Sequence, residues 1–449
     1  MLRKILVDRA SLFALATKVF QGAGGVVTAV LILRFFSPEV QGYYYTFANV
    51  LALQVFLELG LSAVITTFAA HEWSRLSLES DGGITGDRQA LARLRSLARQ
   101  VTAWYLTGGF LLLLLLTVIG LWFFDSQDKS GTVEWQHPWI AMCLLTSLNF
   151  FLIPAWALLS GCGQIANVNA YRMIDTVIRY AALWVCIALG ASLWSAVGAA
   201  ALSAFGGWIF LLVLYRRFLR DLLLNVPSER IGWFKELFPL QIRIALSWIS
   251  GYFVAYVFTP VIFYFLGASE AGRMGMTWAF ISGLSGIAAT WLQAQAPGFS
   301  ILVARKEFAA LDLSCVKTVW IGVAVFFSGC CIGIAILALL RIYRPDLADR
   351  FIPIGSIAVF LIAECLQQVS MVQATYLRAF KQEPFLGLSV MSAFIVGGGT
   401  LWLTPTLGFY GPAFSYLTAA VVGIAWGSLI FVQKRRQWTS YHPVLSKDD

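Results

Sequence analysis

Arg34-Phe-Phe-Ser-Pro-Glu39-Val-Gln-Gly42-Tyr-Tyr44 is a short polar hinge between two apolar runs, 10–34 and 39–69. Each run is long enough to cross a bilayer. A related hinge, Leu266-Gly-Ala-Ser-Glu270-Ala-Gly272, recurs at shifts of 231 and 230 residues, again between apolar runs. Reading outward from the two hinges, hydropathy, turn residues and charge divide the chain into twelve apolar stretches. They lie near 10–34, 39–69, 100–124, 138–160, 168–189, 193–215, 236–266, 270–298, 315–340, 353–377, 384–404 and 409–432. All are expected to be helices, because a lone strand cannot satisfy its backbone in lipid. Pro154 and Pro260 fall inside stretches and predict kinks. Trp135, Trp139 and Trp438, near stretch ends, read as interface anchors.

Composition agrees. The chain is 59% hydrophobic and 12% charged, about half the charge of an average soluble protein. The net charge of +9 has no polar domain to carry a nucleic-acid patch, so insertion topology is the simpler source of the basic residues. The seven cysteines (Cys143, Cys162, Cys186, Cys315, Cys330, Cys331, Cys365) fall in or beside apolar stretches, with no metal-type spacing. They read as small core residues. Three histidines, His71, His137 and His442, give little support to a metal or triad enzyme. The opening run, 10–34, is longer than a signal-peptide core and lacks a small-x-small cleavage site, so it is read as a retained first span.

Basic residues set the orientation. With the N-terminus inside, 22 of the 32 Lys and Arg fall on cytoplasmic segments and six on outer ones. The positive-inside rule then predicts both termini in the cytoplasm. The Arg-rich segment Arg88–Arg99 has helical spacing. It reads either as a helix lying on the membrane surface against anionic lipid or as a cap on the third span. Outer loops of about a dozen residues leave little room for the catalytic domain of a membrane-embedded glycosyltransferase or polymerase.

The hinges are not the only echo. Ser160–Gln164 corresponds to Arg378–Gln382, and Leu189-Gly190 to Leu407-Gly408, both at a shift of 218. The order and regularity predict a parallel 6+6 duplication, 1–222 and 223–449, two six-helix bundles around a central cavity suited to alternating access.

The first hinge resembles the R-x-L-G-x-E-x-x-G-x-Y signature of the polysaccharide transporters. These are the Wzx-type O-antigen and lipid-linked oligosaccharide flippases of the MOP exporter superfamily, which also contains the MATE drug exporters. Arg34, Glu39 and Gly42 occupy the signature positions; Phe36-Ser37 stands where Leu-Gly is usual, and the second copy is one residue shorter between Glu270 and Gly272. The resemblance implies an all-α MATE/MOP-like fold in a bacterial inner membrane. It also implies a flippase that turns an undecaprenyl-diphosphate-linked glycan from the cytoplasmic to the outer leaflet. The partners implied are that glycan, membrane lipids and the polysaccharide polymerase with its chain-length machinery. No cofactor is implied beyond a coupling H+ or Na+, and no nucleic acid.

Such a substrate needs cations for the diphosphate. Arg172, Asp175 and Arg179 sit at i, i+3 and i+7 of the fifth stretch, on one helix face. Arg179 lies roughly 18 Å along the helix, near mid-bilayer. They read as a cationic ladder steadied by Asp175 or as a charge triplet tying helices together. Lys18 and Arg243 lie about 12 Å inside the first stretch of each half, facing a cavity or snorkelling. Arg34 is placed to pair with Glu39, and Arg273 to receive a diphosphate on exit. Glu58 and Glu364, each with a Gln one turn away (Gln54, Gln368), are candidate coupling or sugar-binding groups, as Asp175 is for coupling. Asn149 and Gln367 offer amides to sugar hydroxyls or to neighbouring helices. A MATE-like exporter of small organic cations is the alternative; its site would favour acids over Lys18, Arg179 and Arg243. A major-facilitator transporter lacks its Gly-x-x-x-Asp-Arg-type loop at Ala70–Leu78.

Overall fold

The structure, a computed structural model, describes residues 9–79, 82–127, 131–225, 231–380 and 385–440. The basic residues Arg3, Lys4, Lys129, Arg230, Lys381 and Lys447, with His442 and the Trp438 side chain, lie outside them. The chain forms two compact units, Met1–Ile249 and Ser250–Asp449.

In the first unit, α1 (Arg9–Phe35) runs to the hinge, where the Ser37 hydroxyl accepts from the Val40 amide at 3.2 Å and Pro38 opens α2 (Pro38–Leu51). A fixed proline φ and a hydroxyl cap suit a helix start. The second stretch does not run straight. After α3 (Val55–Glu58), Leu59 (φ 52) and Gly60 (φ 65) are both left-handed, and α4 (Leu61–Trp73) leaves at 46°. The break frees carbonyls in an apolar setting, and the Trp104 indole donates to the Leu57 carbonyl at 3.2 Å. A hairpin follows, β1 (Leu76–Leu78) and β2 (Ile84–Gly86). Then α5 (Arg88–Asp125) starts on the Asp87 side chain, which accepts from the Ala90 amide at 2.9 Å. The Arg-rich segment is therefore not a separate surface helix. It is the first three turns of α5, with Leu94, Leu97 and Ala98 fully buried. Arg93 joins Glu72 (2.8 Å) on α4 to Glu236 (2.6 Å).

The remaining elements of this unit are α6 (Gln136–Phe150), α7 (Ile153–Leu159), α8 (Ile165–Ala188), α9 (Trp194–Leu214), α10 (Arg216–Leu224) and α11 (Phe238–Ala255) as far as Ile249. A wide turn at Ser160–Gln164, with Gly163 at φ 77, joins α7 to α8. The second unit holds α12 (Phe258–Leu266), α13 (Ala268–Ala304), α14 (Phe308–Tyr343), α15 (Pro345–Ala348), α16 (Ile354–Ala379), α17 (Leu386–Leu407) and α18 (Tyr410–Ser440). Pro154 and Pro260 each sit in the first turn after a break, α6 to α7 and α11 to α12, where a missing amide costs least.

Among the described residues every one of the twelve apolar stretches is helical. Among the described residues nine helices are long and apolar enough to cross a membrane, ten with the bent pair counted as one span. The count is lower than twelve because the fourth and fifth stretches merge into one run, Gln136–Ala188. In addition, Gly, Ser, Thr and Gln dilute the hydropathy of α13. On α5 the outward face shows why this is a multi-pass membrane protein. Phe110, Leu114, Val118 and Trp122, one turn apart, are all more than half exposed, while Gly109, Leu112, Leu116 and Gly120 on the other face are buried. In water that outer stripe would be polar. Trp135 and Trp139 are core residues rather than interface anchors. They pack against Tyr43, Phe47 and Phe124, and the Trp139 indole donates to the Leu116 carbonyl at 3.2 Å.

Helix pairings repeat between the units. In the first, α1 packs on α8, α8 on α9, α6 on α9, α5 on α6, and α4 on both α5 and α7. In the second, α12 packs on α17, α17 on α18, α16 on α18, α14 on α16, and α13 on both α14 and α16. Numbered by apolar stretch, the second set is the first shifted by six.

The break in the second span carries a prediction. A Cβ on Gly60 would stand 2.3 Å from Ile244 Cγ2, at a φ that L-residues avoid. Gly60→Ala is expected to destabilise the detergent-purified protein by about 1–3 kcal/mol. In thermal unfolding, Gly60→Ala/Ile244→Ala should lose less than the two single changes summed.

Candidate functional site

The charges of the fifth stretch sit on α8, whose faces can be told apart. Ile174, Ile178 and Val185 form an exposed apolar stripe, the face suited to acyl chains. Thr176, Leu183 and Ile187 form the packed face. Arg172 and Arg179 lie about 120–140° around the helix from the apolar stripe, and Asp175 about 80°. The arginines therefore stand along the edge of the packed face, away from the apolar stripe. Arg172 is exposed, while Asp175 and Arg179 are half-buried.

The spacing allows Asp175 to bridge either arginine, yet among the described residues no ion pair or hydrogen bond ties the three side chains together or to another helix. Arg179 lies instead within electrostatic reach of two phenols, Tyr180 on its own helix and Tyr44 at the end of the hinge signature. Leaving a guanidinium unpaired at membrane depth costs about 2.5–3.5 kcal/mol, which a structural triplet would have avoided. α8 is seated against α1 by Tyr180, whose hydroxyl donates to the Gln21 carbonyl at 3.3 Å, and by Trp184, which donates to Thr28 at 2.9 Å. Gly24 makes room for the Tyr180 ring. Lys18 is exposed one turn from Gln21, and Arg243 is exposed on α11 between Leu240 and Leu246; neither makes an ion pair or hydrogen bond among the described residues.

The second unit holds a different cluster. Glu364 on α16 is 6% exposed and receives three donors. Its Oε1 accepts from the Ser285 hydroxyl and, at 3.3 Å, from the Gln368 amide; its Oε2 accepts from the Tyr416 hydroxyl. Gln368 also donates to Ser285 at 2.7 Å. Phe258, Trp278 and Phe360 pack around Tyr416 and shield the group. No basic side chain touches Glu364 among the described residues. In the first unit Glu58 sits at the helix break, buried, and accepts from the Ser62 hydroxyl at 2.5 Å. Gln54 is one turn back on the same helix.

One expectation is corrected, and three further candidates are placed. Arg34 does not pair with Glu39: it lies over the Phe35 ring at 5.6 Å, because α1 continues to Phe35 and carries the guanidinium away from α2. Arg273 has partners of its own. It bridges Glu270 (2.9 Å), donates to the Phe351 carbonyl (3.0 Å) and stacks on Phe409, fastening the start of α13. Asn149 spends its amide on the Leu145 carbonyl of its own helix at 3.1 Å, while Gln367 stays half-buried on α16. Gly42 is buried in α2. Ser285 and Tyr416, partners of Glu364, escaped the sequence reading, since a serine and a tyrosine in apolar helices carry no positional signal. No group of His, Cys, Asp and Glu among the described residues has metal-site geometry.

No protein-family model matches the chain, and no curated protein is similar to it in sequence. Its fold has counterparts. It is similar over 95% of its length to a multidrug resistance MATE family transporter of the MOP superfamily in the inward-facing conformation, with 99% of that chain covered, a TM-score of 0.67 and 14% identity. It is also similar to the MATE multidrug transporter DinF-BH (TM-score 0.61, 14% identity, 96% and 97% covered). A third likeness is to a MATE in complex with MaD3S (TM-score 0.55, 14% identity, 96% and 98% covered). The chain thus has the MATE/MOP transporter fold.

Proposed function

We propose that this protein is a Wzx-type flippase. In this reading it moves an undecaprenyl-diphosphate-linked oligosaccharide, such as an O-antigen, capsule or exopolysaccharide repeat unit, from the cytoplasmic to the outer leaflet by alternating access of its two six-helix halves. The observation that carries this reading is the α8 stripe: Arg172 and Arg179 are held away from the apolar face, with no acidic partner bound to them among the described residues. Cations kept unpaired at membrane depth are suited to an anion that arrives and leaves. The cargo is therefore read as anionic, unlike a small organic cation, although the fold is shared with multidrug exporters. Lys18 and Arg243 add two further cations on helices of the same unit. Gln367 and Asn149 take the sugar-facing role, Asn149 by exchanging its bond to the Leu145 carbonyl.

Glu364 is assigned as the coupling group, with Glu58 and Asp175 as secondary members, and H+ or Na+ as the ion. A buried carboxylate with only neutral donors gains most from binding a cation. Its hydroxyl and amide partners can reorient when a proton is added. Transport involves no chemical change, and the fold is shared with transporters, so the chain is read as a non-enzyme.

Deletion of the gene in its native host tests the reading. The expected result is loss of surface glycan with lipid-linked repeat units accumulating on the cytoplasmic leaflet, and unchanged susceptibility to cationic drugs. Intact glycan with raised drug susceptibility would replace this reading with that of a small-molecule exporter.

A further inference from the structure

A second basic feature lies outside the α8 stripe. Where α8 begins and α9 ends, the hairpin β1–β2 and the short helix α10 wall off a groove of about 1240 Å³. The chain builds it in a few steps. α9 leaves its apolar run at Tyr215, and the next residues, Arg216 and Arg217, open α10. That helix is sharply two-sided: Phe218 and Leu222 are buried while Arg216, Arg217 and Arg220 are exposed. Arg95 of α5 clamps it, pairing with the Asp221 carboxylate at 2.7 Å and donating to its carbonyl at 3.1 Å. Trp73 packs on Phe218 at 6.2 Å. At the floor, Asn167 donates to Gln164 (2.9 Å) and to the Tyr215 hydroxyl (3.1 Å).

Two properties decide what such a groove would hold. The first is charge. Arg216, Arg217 and Arg220 line it, Asp221 is already committed to Arg95, and Glu79 is the other acid among its lining residues. The second is an apolar wall: Ile174, Val213, Leu214 and Leu224 also line it and are 57%, 72%, 64% and 68% exposed. Ile174 belongs to the outward stripe of α8, and Val213 and Leu214 continue the exposed face of α9 with Phe205 and Ile209. One wall thus faces acyl chains while the other presents guanidinium groups at the membrane–water boundary. A water-soluble anion would use only the second wall. A phosphorylated lipid uses both.

We infer that this groove binds the phosphate headgroup of an anionic lipid from the leaflet that the basic residues assign to the cytoplasm, with its tail along α8 and α9. The inference stands independently of the flippase reading, because none of its residues belongs to the in-span charge set. Each juxtamembrane arginine contributes about fivefold to anionic-lipid affinity, about 25-fold for two.

The test is native mass spectrometry of the full-length protein in detergent, titrated with dioleoylphosphatidic acid, dioleoylphosphatidylcholine or inorganic pyrophosphate. Phosphatidic acid is expected to bind in preference to phosphatidylcholine. Arg216→Gln/Arg220→Gln should weaken it about 25-fold. Arg216→Lys/Arg220→Lys should stay within about threefold of wild type. Removing the same charge elsewhere, Arg341→Gln/Arg344→Gln, should leave binding unchanged. Wild-type affinity in the first variant, or an equal loss in the Arg341/Arg344 variant, would overturn the inference. Pyrophosphate binding as tightly as the lipid would overturn it too, by making the groove a site for aqueous anions.

Discussion

Replacing Arg179 by glutamine is expected to reduce glycan export about 100-fold while membrane abundance and thermal stability stay near wild type. The asymmetry follows from its surroundings. Removing one partner of a desolvated, hydrogen-bonded charge pair costs about 2–5 kcal/mol, and tenfold in rate corresponds to about 1.4 kcal/mol. A phosphate that has shed water has no other mid-helix cation on α8 to turn to. Stability is spared because Arg179 has no bound acid to strand: no ion pair or hydrogen bond ties it among the described residues. Arg179→Lys should fall between, keeping the charge but losing the planar fork. Arg172, exposed and nearer the helix start, should cost less, about tenfold, when made glutamine. Quantitative surface-glycan blots beside membrane immunoblots read both quantities. Full export by the Arg179→Gln protein would remove this residue from the mechanism.

The second large effect is expected at Glu364, where two substitutions separate structure from coupling. Glu364→Ala removes the acceptor of three donors and leaves the Ser285 and Tyr416 hydroxyls and the Gln368 amide in a closed apolar setting. Each unsatisfied group costs about 1–3 kcal/mol, so this variant should lose both stability and export. Glu364→Gln keeps an acceptor oxygen and the side-chain volume but cannot take up a proton or hold a charge. It should melt close to wild type and yet fail to accumulate cargo against a gradient. Measuring melting in detergent together with ion-driven transport in vesicles distinguishes the cases. Glu364→Gln with wild-type, gradient-dependent transport would leave the cluster a structural tie.

Much of the fold is legible in the sequence because the bilayer makes few demands and makes them repeatedly. Twenty or so apolar residues per crossing and a hinge that recurs after half the chain point to twelve helical stretches and a duplication without tertiary information. The details that escaped are ones that local sequence cannot separate. Leu59-Gly60 reads as an unbroken apolar run, since a glycine inside a membrane helix is common, and only its φ of 65 shows the break. Trp135 and Trp139 carry the same signal whether they anchor at an interface or fill a core; the ring cluster with Tyr43 and Phe124 decides it. The hairpin is too short for periodicity to betray it. Of the candidate charges, the α8 stripe was readable because three residues at helical spacing share a face whatever the fold. The fates of Arg34 and Arg273 depended on where a helix ended and what lay across from it, Phe35 in one case and Glu270 with Phe351 in the other.

The most direct test is reconstitution. Purified protein in sealed vesicles would be given a fluorescent polyprenyl-diphosphate disaccharide in both leaflets, with a membrane-impermeant quencher reporting how much of it reaches the outer leaflet over time, and the cationic dye rhodamine in a parallel assay. The account predicts protein-dependent movement of the diphosphate lipid that is lost with Arg179→Gln, and no accelerated dye flux. Dye export without movement of the lipid would contradict it.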